Sequence, residues 1–158
     1  MKKVTLYTDG SCSCNPGPGG WGAILMMTLP DGTLYKKEYS GGSMSTTNNI
    51  MEMTAVLEGL KQLKAPCEVT LVCDSQYVIN AFNQHWIDSW IRKNWKRGKN
   101  EPVKNVDLWK RLLKAAAPHK ITWIWVKGHN GHPQNERCDL LATTAADGND
   151  LIEDTILE

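Results

Sequence analysis

The stretch Val4-Thr5-Leu6-Tyr7-Thr8-Asp9-Gly10-Ser11 decides how the rest of the chain is read. Residues 4–8 alternate apolar and polar, the period of a half-buried strand, and Asp9-Gly10 is a turn signal at its end. The glycine- and proline-rich run Asn15-Pro16-Gly17-Pro18-Gly19-Gly20 leads into a second strand, Trp21 to Leu29. Pro30-Asp31-Gly32 turns the chain back through Thr33 to Ser40, making a hairpin. From Asn49, apolar Ile50, Met53, Leu57 and Leu60 recur at helical spacing, with Val56 and Leu63 widening the stripe.

Beyond that helix, Val69 to Cys73 reads as a short buried strand and Ser75 opens another helix. Asp107 to Ala117 is helical and stops at Pro118, Ile121 to Val126 is a strand, Lys127 to Pro133 a loop, and Gln134 to Ala146 a last helix. Strands alternating with helices after the hairpin imply parallel pairing with crossovers on the sheet faces. The expected fold is α/β: one domain over residues 1–146, with a mixed five-stranded sheet flanked by helices. An antiparallel N-terminal meander would carry parallel strands beside strand one. Residues 147–158 hold five acids and no base, and are expected to form a solvated, mobile tail.

Composition narrows the class. At 158 residues the chain suits one domain, and 41% hydrophobic with 22% charged residues is ordinary for a water-soluble fold. No apolar run reaches membrane-spanning length, and Met-Lys-Lys-Val passes straight into a strand, so no signal peptide is expected. Five cysteines, an odd number, suggest reduced thiols in the cytoplasm. A net charge of +1 means that any basic footprint must be local.

Four acids stand where one element hands over to another. Asp9 follows the first strand, Glu52 lies early in a helix, Asp74 ends a strand, and Asp139 lies early in the last helix. Each has a plain alternative: a turn at Asp9, a capping box between Asn49 and Glu52, an N-cap at Asp74, a solvent-facing position at Asp139. Taken together, two end strands that should be neighbours and two begin helices packed on that sheet. Ser11, Asn15, Thr47, Asn48, Asn49, Ser75 and Gln76 line the same region with small polar groups suited to sugar and phosphate. Carboxylates gathered at one sheet edge repel unless divalent cations lie between them, which points to two-metal phosphoryl transfer.

Between His85 and Lys104, Trp86, Trp90 and Trp95 are interleaved with Arg92, Lys93, Lys96, Arg97, Lys99 and Lys104. Against Asp88 and Glu101 these six bases leave a local charge of +4. Bases for phosphates and indole faces for sugars suit a nucleic-acid backbone, whereas the alternative is a solvated helix whose tryptophans cover the core. His129, in the loop Lys127-Gly128-His129-Asn130-Gly131-His132, could relay a proton near neutral pH. A zinc site from His129, His132 and Cys138 lacks a fourth ligand at a usual spacing; His132 is expected to anchor the last helix.

Several motifs occur in one order: Thr8-Asp9-Gly10-Ser11, Asn15-Pro16-Gly17-Pro18-Gly19-Gly20, Thr46-Thr47-Asn48-Asn49-Ile50-Met51-Glu52, and Asp74-Ser75-Gln76-Tyr77. They continue with Pro102-Val103-Lys104-Asn105-Val106-Asp107-Leu108-Trp109, Trp125-Val126-Lys127-Gly128-His129, and Asn135-Glu136-Arg137-Cys138-Asp139. From about Lys3 to Ala146 the chain resembles the bacterial-type (type 1) ribonucleases H. It departs from their usual pattern at Cys14, Ser45 and Ile50.

The resemblance implies that Asp9, Glu52, Asp74 and Asp139 bind two magnesium ions, for which manganese substitutes, with Asp9 bridging both. It implies cleavage by water of the RNA strand of an RNA–DNA hybrid, leaving 5′-phosphate and 3′-hydroxyl ends, with His129 assisting near the leaving group. Cys12, Asn15, Asn48 and Gln76 would face RNA. Thr47, Trp86, Trp90, Lys93 and Asn105 would face DNA, with Lys96 and Arg97 adding phosphate contacts. The expected protein is a monomeric cytoplasmic nuclease. Its rivals are a non-catalytic nucleic-acid-binding module and a nuclease of similar fold with another substrate.

Overall fold

A computed structural model describes residues 2–12, 16–96, 101–127, 133–146 and 152–153. The elements run β1 (Lys2–Cys12), β2 (Gly17–Thr28), β3 (Leu34–Thr46), α1 (Asn48–Lys61), β4 (Cys67–Cys73), α2 (Gln76–Asn83), α3 (Trp86–Arg92), α4 (Val106–Ala116), β5 (Lys120–Trp125), α5 (Pro133–Ala146) and β6 (Ile152–Glu153). The expected five strands lie in the order β5-β4-β1-β2-β3, with β6 added at the β3 edge. β1, β2 and β3 are antiparallel; β4 pairs in parallel with β1, and β5 with β4. The stretch read as a mobile tail therefore contains two residues paired in parallel with Ser43 and Ser45 of β3. The rest of that tail lies outside the described residues. Among those described, no helix is long and apolar enough to cross a membrane.

Strand boundaries differ from the local signals in an instructive way. β1 does not end at Asp9-Gly10 but continues against β2 to the pair Cys12↔Gly19. β3 likewise runs past Ser40 through Gly41 and Gly42 to Thr46, held by its ladder with β2. Ladder hydrogen bonds to a neighbour override turn-like residues, because strand preference depends on context.

One face of the sheet buries Val4 and Leu6 of β1 and Val69 and Leu71 of β4. α1 lays Met53, Val56, Leu57 and Leu60 into the same core, and α4 adds Leu108, Trp109 and Leu112. Each large apolar side chain fully buried this way contributes roughly 1.5–3 kcal/mol. Ile50, one of the departures from the resembled pattern, is 1% exposed and belongs to this core. Trp109 is fully buried, and its indole N–H donates to the Tyr77 hydroxyl at 3.2 Å.

Candidate active site

The parallel ladder between β1 and β4 ends at Thr8↔Cys73, so Asp9 and Asp74 follow side by side where β1 outruns its neighbour. On its other side Asp9 pairs with Gly22 of β2. A Cβ at Gly22 would lie 2.6 Å from the Cys138 carbonyl oxygen of α5, so only glycine lets that helix sit so close. Asp139 is the next residue of α5. A Cβ at Gly10 would strike the main chain of Met51 and Glu52, so the first turns of α1 are admitted by a second missing side chain. Glycines flanking Asp9 thus bring in the helices that carry Glu52 and Asp139.

The plain alternatives for the acids fall away one by one. The N-cap of α1 is Thr47, whose side chain accepts from the Ile50 N–H at 3.2 Å; Asn49 and Glu52 form no capping box. The N-cap of α2 is Ser75, accepting from the Val78 N–H at 3.2 Å, which leaves Asp74 free of that duty. Asp9 sits inside a strand and is 7% exposed. Asp139 is half-buried and faces Asp9 rather than open solvent.

Burial and the nearby charges of Asp74 and Asp139 hold the Asp9 carboxyl far above the usual carboxylate range, and its hydrogen bonds to both act the same way. Although half-buried overall, Glu52 has its carboxyl pushed up to about 7, chiefly by burial and further by Asp74, while a Ser75 hydrogen bond opposes the shift. Burial also pushes the Cys73 thiol up to about 12 and raises that of Cys138, so neither is a nucleophile near neutrality. Asp9, Glu52, Asp74 and Ser75 line one small crevice with Thr8 and Cys73. Among the described residues no three His, Cys, Asp or Glu form a ready-made metal cage. The donors are nonetheless four hard carboxylates, crowded enough to disfavour ionisation of Asp9 and Glu52, a set that suits magnesium or manganese.

Other expected contacts are placed unevenly. Asn48 and Gln76 are exposed at the first positions of α1 and α2, and Thr47 is half-buried beside them. The Cys12 thiol donates to the carbonyls of Gly17 at 3.5 Å and Thr46 at 3.4 Å, tying the ends of β1, β2 and β3 together. Lys93 is exposed, while Trp86, Trp90 and Lys96 are half-buried. Trp90 packs against Trp86 and Trp95 at 6.4 Å between ring centroids, and against Trp109 at 5.5 Å. The indoles root this segment in the core, and Arg92 and Lys93 are exposed on it. Asn105 is only 5% exposed and adopts φ 61° where α4 begins, so it offers little surface to a ligand. Asn15, Arg97, Lys99, His129, His132 and Cys14 lie outside the described residues.

Two contacts near the carboxylates carry no local sequence signal. The Trp125 indole N–H donates to the Asp74 carbonyl at 3.0 Å. Arg137, two residues before Asp139, makes a two-pronged ion pair with Glu38 of β3, at 2.7 and 2.9 Å. Both join residues far apart in sequence.

Residues 1–147 match the profile of the family described as RNase H. A ribonuclease H of Lachnoclostridium phytofermentans is 62% identical over 157 residues, 99% of each chain. The chain belongs to the type 1 ribonuclease H family. Membership makes it a ribonuclease, a phosphodiester hydrolase. The crystal structure of LC9-RNase H1, described as a type 1 RNase H with the type 2 active-site motif, superposes with a TM-score of 0.86 at 31% identity, over 99% of this chain and 79% of that one. LC11-RNase H1, solved in complex with an RNA/DNA hybrid, shares the fold with a TM-score of 0.64 at 22% identity, over 91% of this chain and 96% of that one. In the ribonuclease H fold seen here, the glycine-admitted helices and the central strand ends meet at Asp9.

Proposed function

We propose that this enzyme is an endonuclease that hydrolyses the RNA strand of RNA–DNA hybrids with two divalent cations, leaving 5′-phosphate and 3′-hydroxyl ends. The observation that carries this is the convergence on Asp9 of carboxylates from β1, the β4 end, α1 and α5. Family membership supports the substrate, as does the hybrid held by LC11-RNase H1. Asp9, Glu52, Asp74 and Asp139 would hold magnesium or manganese, with Asp9 shared between two ions. When bound, such ions supply an activated water and neutralise charge developing on the phosphate oxygens.

The chain's own residues do the rest. Cys12, Asn15, Asn48 and Gln76 face the RNA strand, where 2′-hydroxyls distinguish it from DNA. Thr47, Trp86, Trp90, Lys93, Lys96, Arg97 and Asn105 serve the DNA strand; the burial of Asn105 limits it to a small exposed surface. His129 moves a proton near the leaving oxygen. Residues 1–146 form the working unit, a cytoplasmic monomer, and 147–158 an acidic tail. Cleavage of a labelled hybrid, with single-stranded RNA, duplex RNA and duplex DNA controls, with and without magnesium, tests this. Cutting of the RNA strand confined to the hybrid and to magnesium is expected. Equal cutting of duplex RNA or DNA would favour a nuclease of similar fold with another substrate.

A further inference from the structure

Asp74 lies in an unusual mechanical position. The β4–β5 ladder has its last register pair at Cys73↔Trp125, and the Val126 N–H donates to the Cys73 carbonyl at 3.0 Å. Asp74 follows that bond and precedes Ser75, the N-cap of α2, in a bend that belongs to neither element. Its carbonyl accepts instead from a side chain, the Trp125 indole N–H at 3.0 Å. That indole continues the ladder one residue past its last main-chain bond.

The Asp74 carboxyl, whose side chain is hydrogen-bonded to that of Asp9, must be aimed from this peptide. A peptide held on one side only would let the carboxylate swing. Trp125 is otherwise a poor place for a large apolar side chain, since it is 43% exposed at the end of an edge strand. Its exposure makes sense if the indole is kept for its N–H and rigid reach.

We propose that Trp125 is a positioning residue that fixes the Asp74 peptide, and so the aim of its carboxylate, for divalent-cation binding. This rests on the metal reading of the site given above. Trp125 touches neither the reacting atoms nor the ion; it acts through Asp74. Losing one hydrogen bond of this kind should weaken cation binding about three- to tenfold, the scale of a single net hydrogen bond.

The test compares wild type with Trp125→Phe, and with a protein carrying 3-benzothienylalanine at position 125, which keeps ring size and replaces the N–H by sulfur. Manganese is titrated calorimetrically without nucleic acid, and the side-chain carboxyl carbon shift of Asp74 is followed by NMR in EDTA. Both variants should keep an unchanged unfolding temperature within a few degrees and an altered Asp74 shift, and should bind manganese about three- to tenfold more weakly. Their turnover deficit should close at high magnesium while KM for the hybrid stays put. Manganese isotherms that overlay wild type would overturn the proposal. If wild type itself bound no manganese, the metal reading would fail, and an Asp74 shift identical in all three proteins would then reject the clamp as well.

Discussion

Replacing Asp9 by Asn removes the charge that the fold accommodates least well. In the metal-free protein Asp9 either keeps its proton or holds a negative charge beside Asp74 and Asp139, and both cost free energy. Its unfolded pKa is near 3.8 and its folded one far higher. The folded state therefore binds more protons, so this group's stability is fully present below the unfolded pKa and is lost as pH rises towards the folded one. At about 1.4 kcal/mol per pH unit, keeping the proton at neutral pH costs up to about 4 kcal/mol. An Asn amide left with one unpaired atom would return about 1–3 kcal/mol of that, so a net gain of about 1–3 kcal/mol is expected near neutrality.

The gain should shrink as pH falls and reverse below about pH 3, where wild-type Asp9 is protonated in both states and only the unpaired amide atom of the variant still costs free energy. Glu52 remains in both proteins and adds its own loss of stability as pH rises from its unfolded value of 4.5 to about 7. Urea unfolding in EDTA, followed by circular dichroism across that range, measures the difference. A stability gap between Asp9→Asn and wild type that does not change with pH would refute the electrostatic reasoning, and so would a variant less stable at neutral pH. Cleavage by Asp9→Asn should be nearly abolished, and near-normal magnesium-dependent activity would sink the assignment of Asp9.

His129→Ala should lower turnover roughly ten- to a thousandfold with little change in hybrid affinity; single-turnover kinetics would show a binding role instead if only affinity fell. Changing Lys93, Lys96 and Arg97 together to Ala should raise KM several-fold at moderate salt with turnover largely kept. It should also flatten the salt dependence by about one unit of slope per lost contact, and parallel lines for variant and wild type would reject the grip. Gly22→Ala should cost about 1–3 kcal/mol by pushing α5 off the sheet, and should cut activity further by displacing Asp139; thermal unfolding together with cleavage rates would expose a mere surface effect if both stayed normal.

How much was legible in the sequence depended on whether the signal was local. The apolar period of Ile50, Met53, Leu57 and Leu60 and the short run Val69 to Cys73 specify their elements from within, and both elements form there. Asp9-Gly10 reads locally as a turn and the second hairpin strand as ending at Ser40, yet both strands run on because β2 supplies the ladder. Gly10 and Gly22 serve helix approach, a purpose visible only once α1 and α5 are in place. Likewise Thr47, not Asn49, caps α1, since the cap depends on where β3 releases the chain. The four carboxylates stand in recognisable local motifs, but Trp125, hydrogen-bonded to a residue 51 positions away, leaves no mark on its neighbours. Asn105, expected to face the DNA strand, is 5% exposed at the start of α4, a burial that its sequence neighbours do not announce.

The central claim is that Asp9, Glu52, Asp74 and Asp139 act as one cation-binding set. Anomalous scattering from crystals grown with manganese and an uncleavable hybrid analogue tests it most directly. Two manganese peaks about 3.5–4 Å apart, bridged by Asp9 and ringed by the other three carboxylates, are predicted. Manganese bound elsewhere, or no peak among these four residues with the hybrid in place, would contradict it.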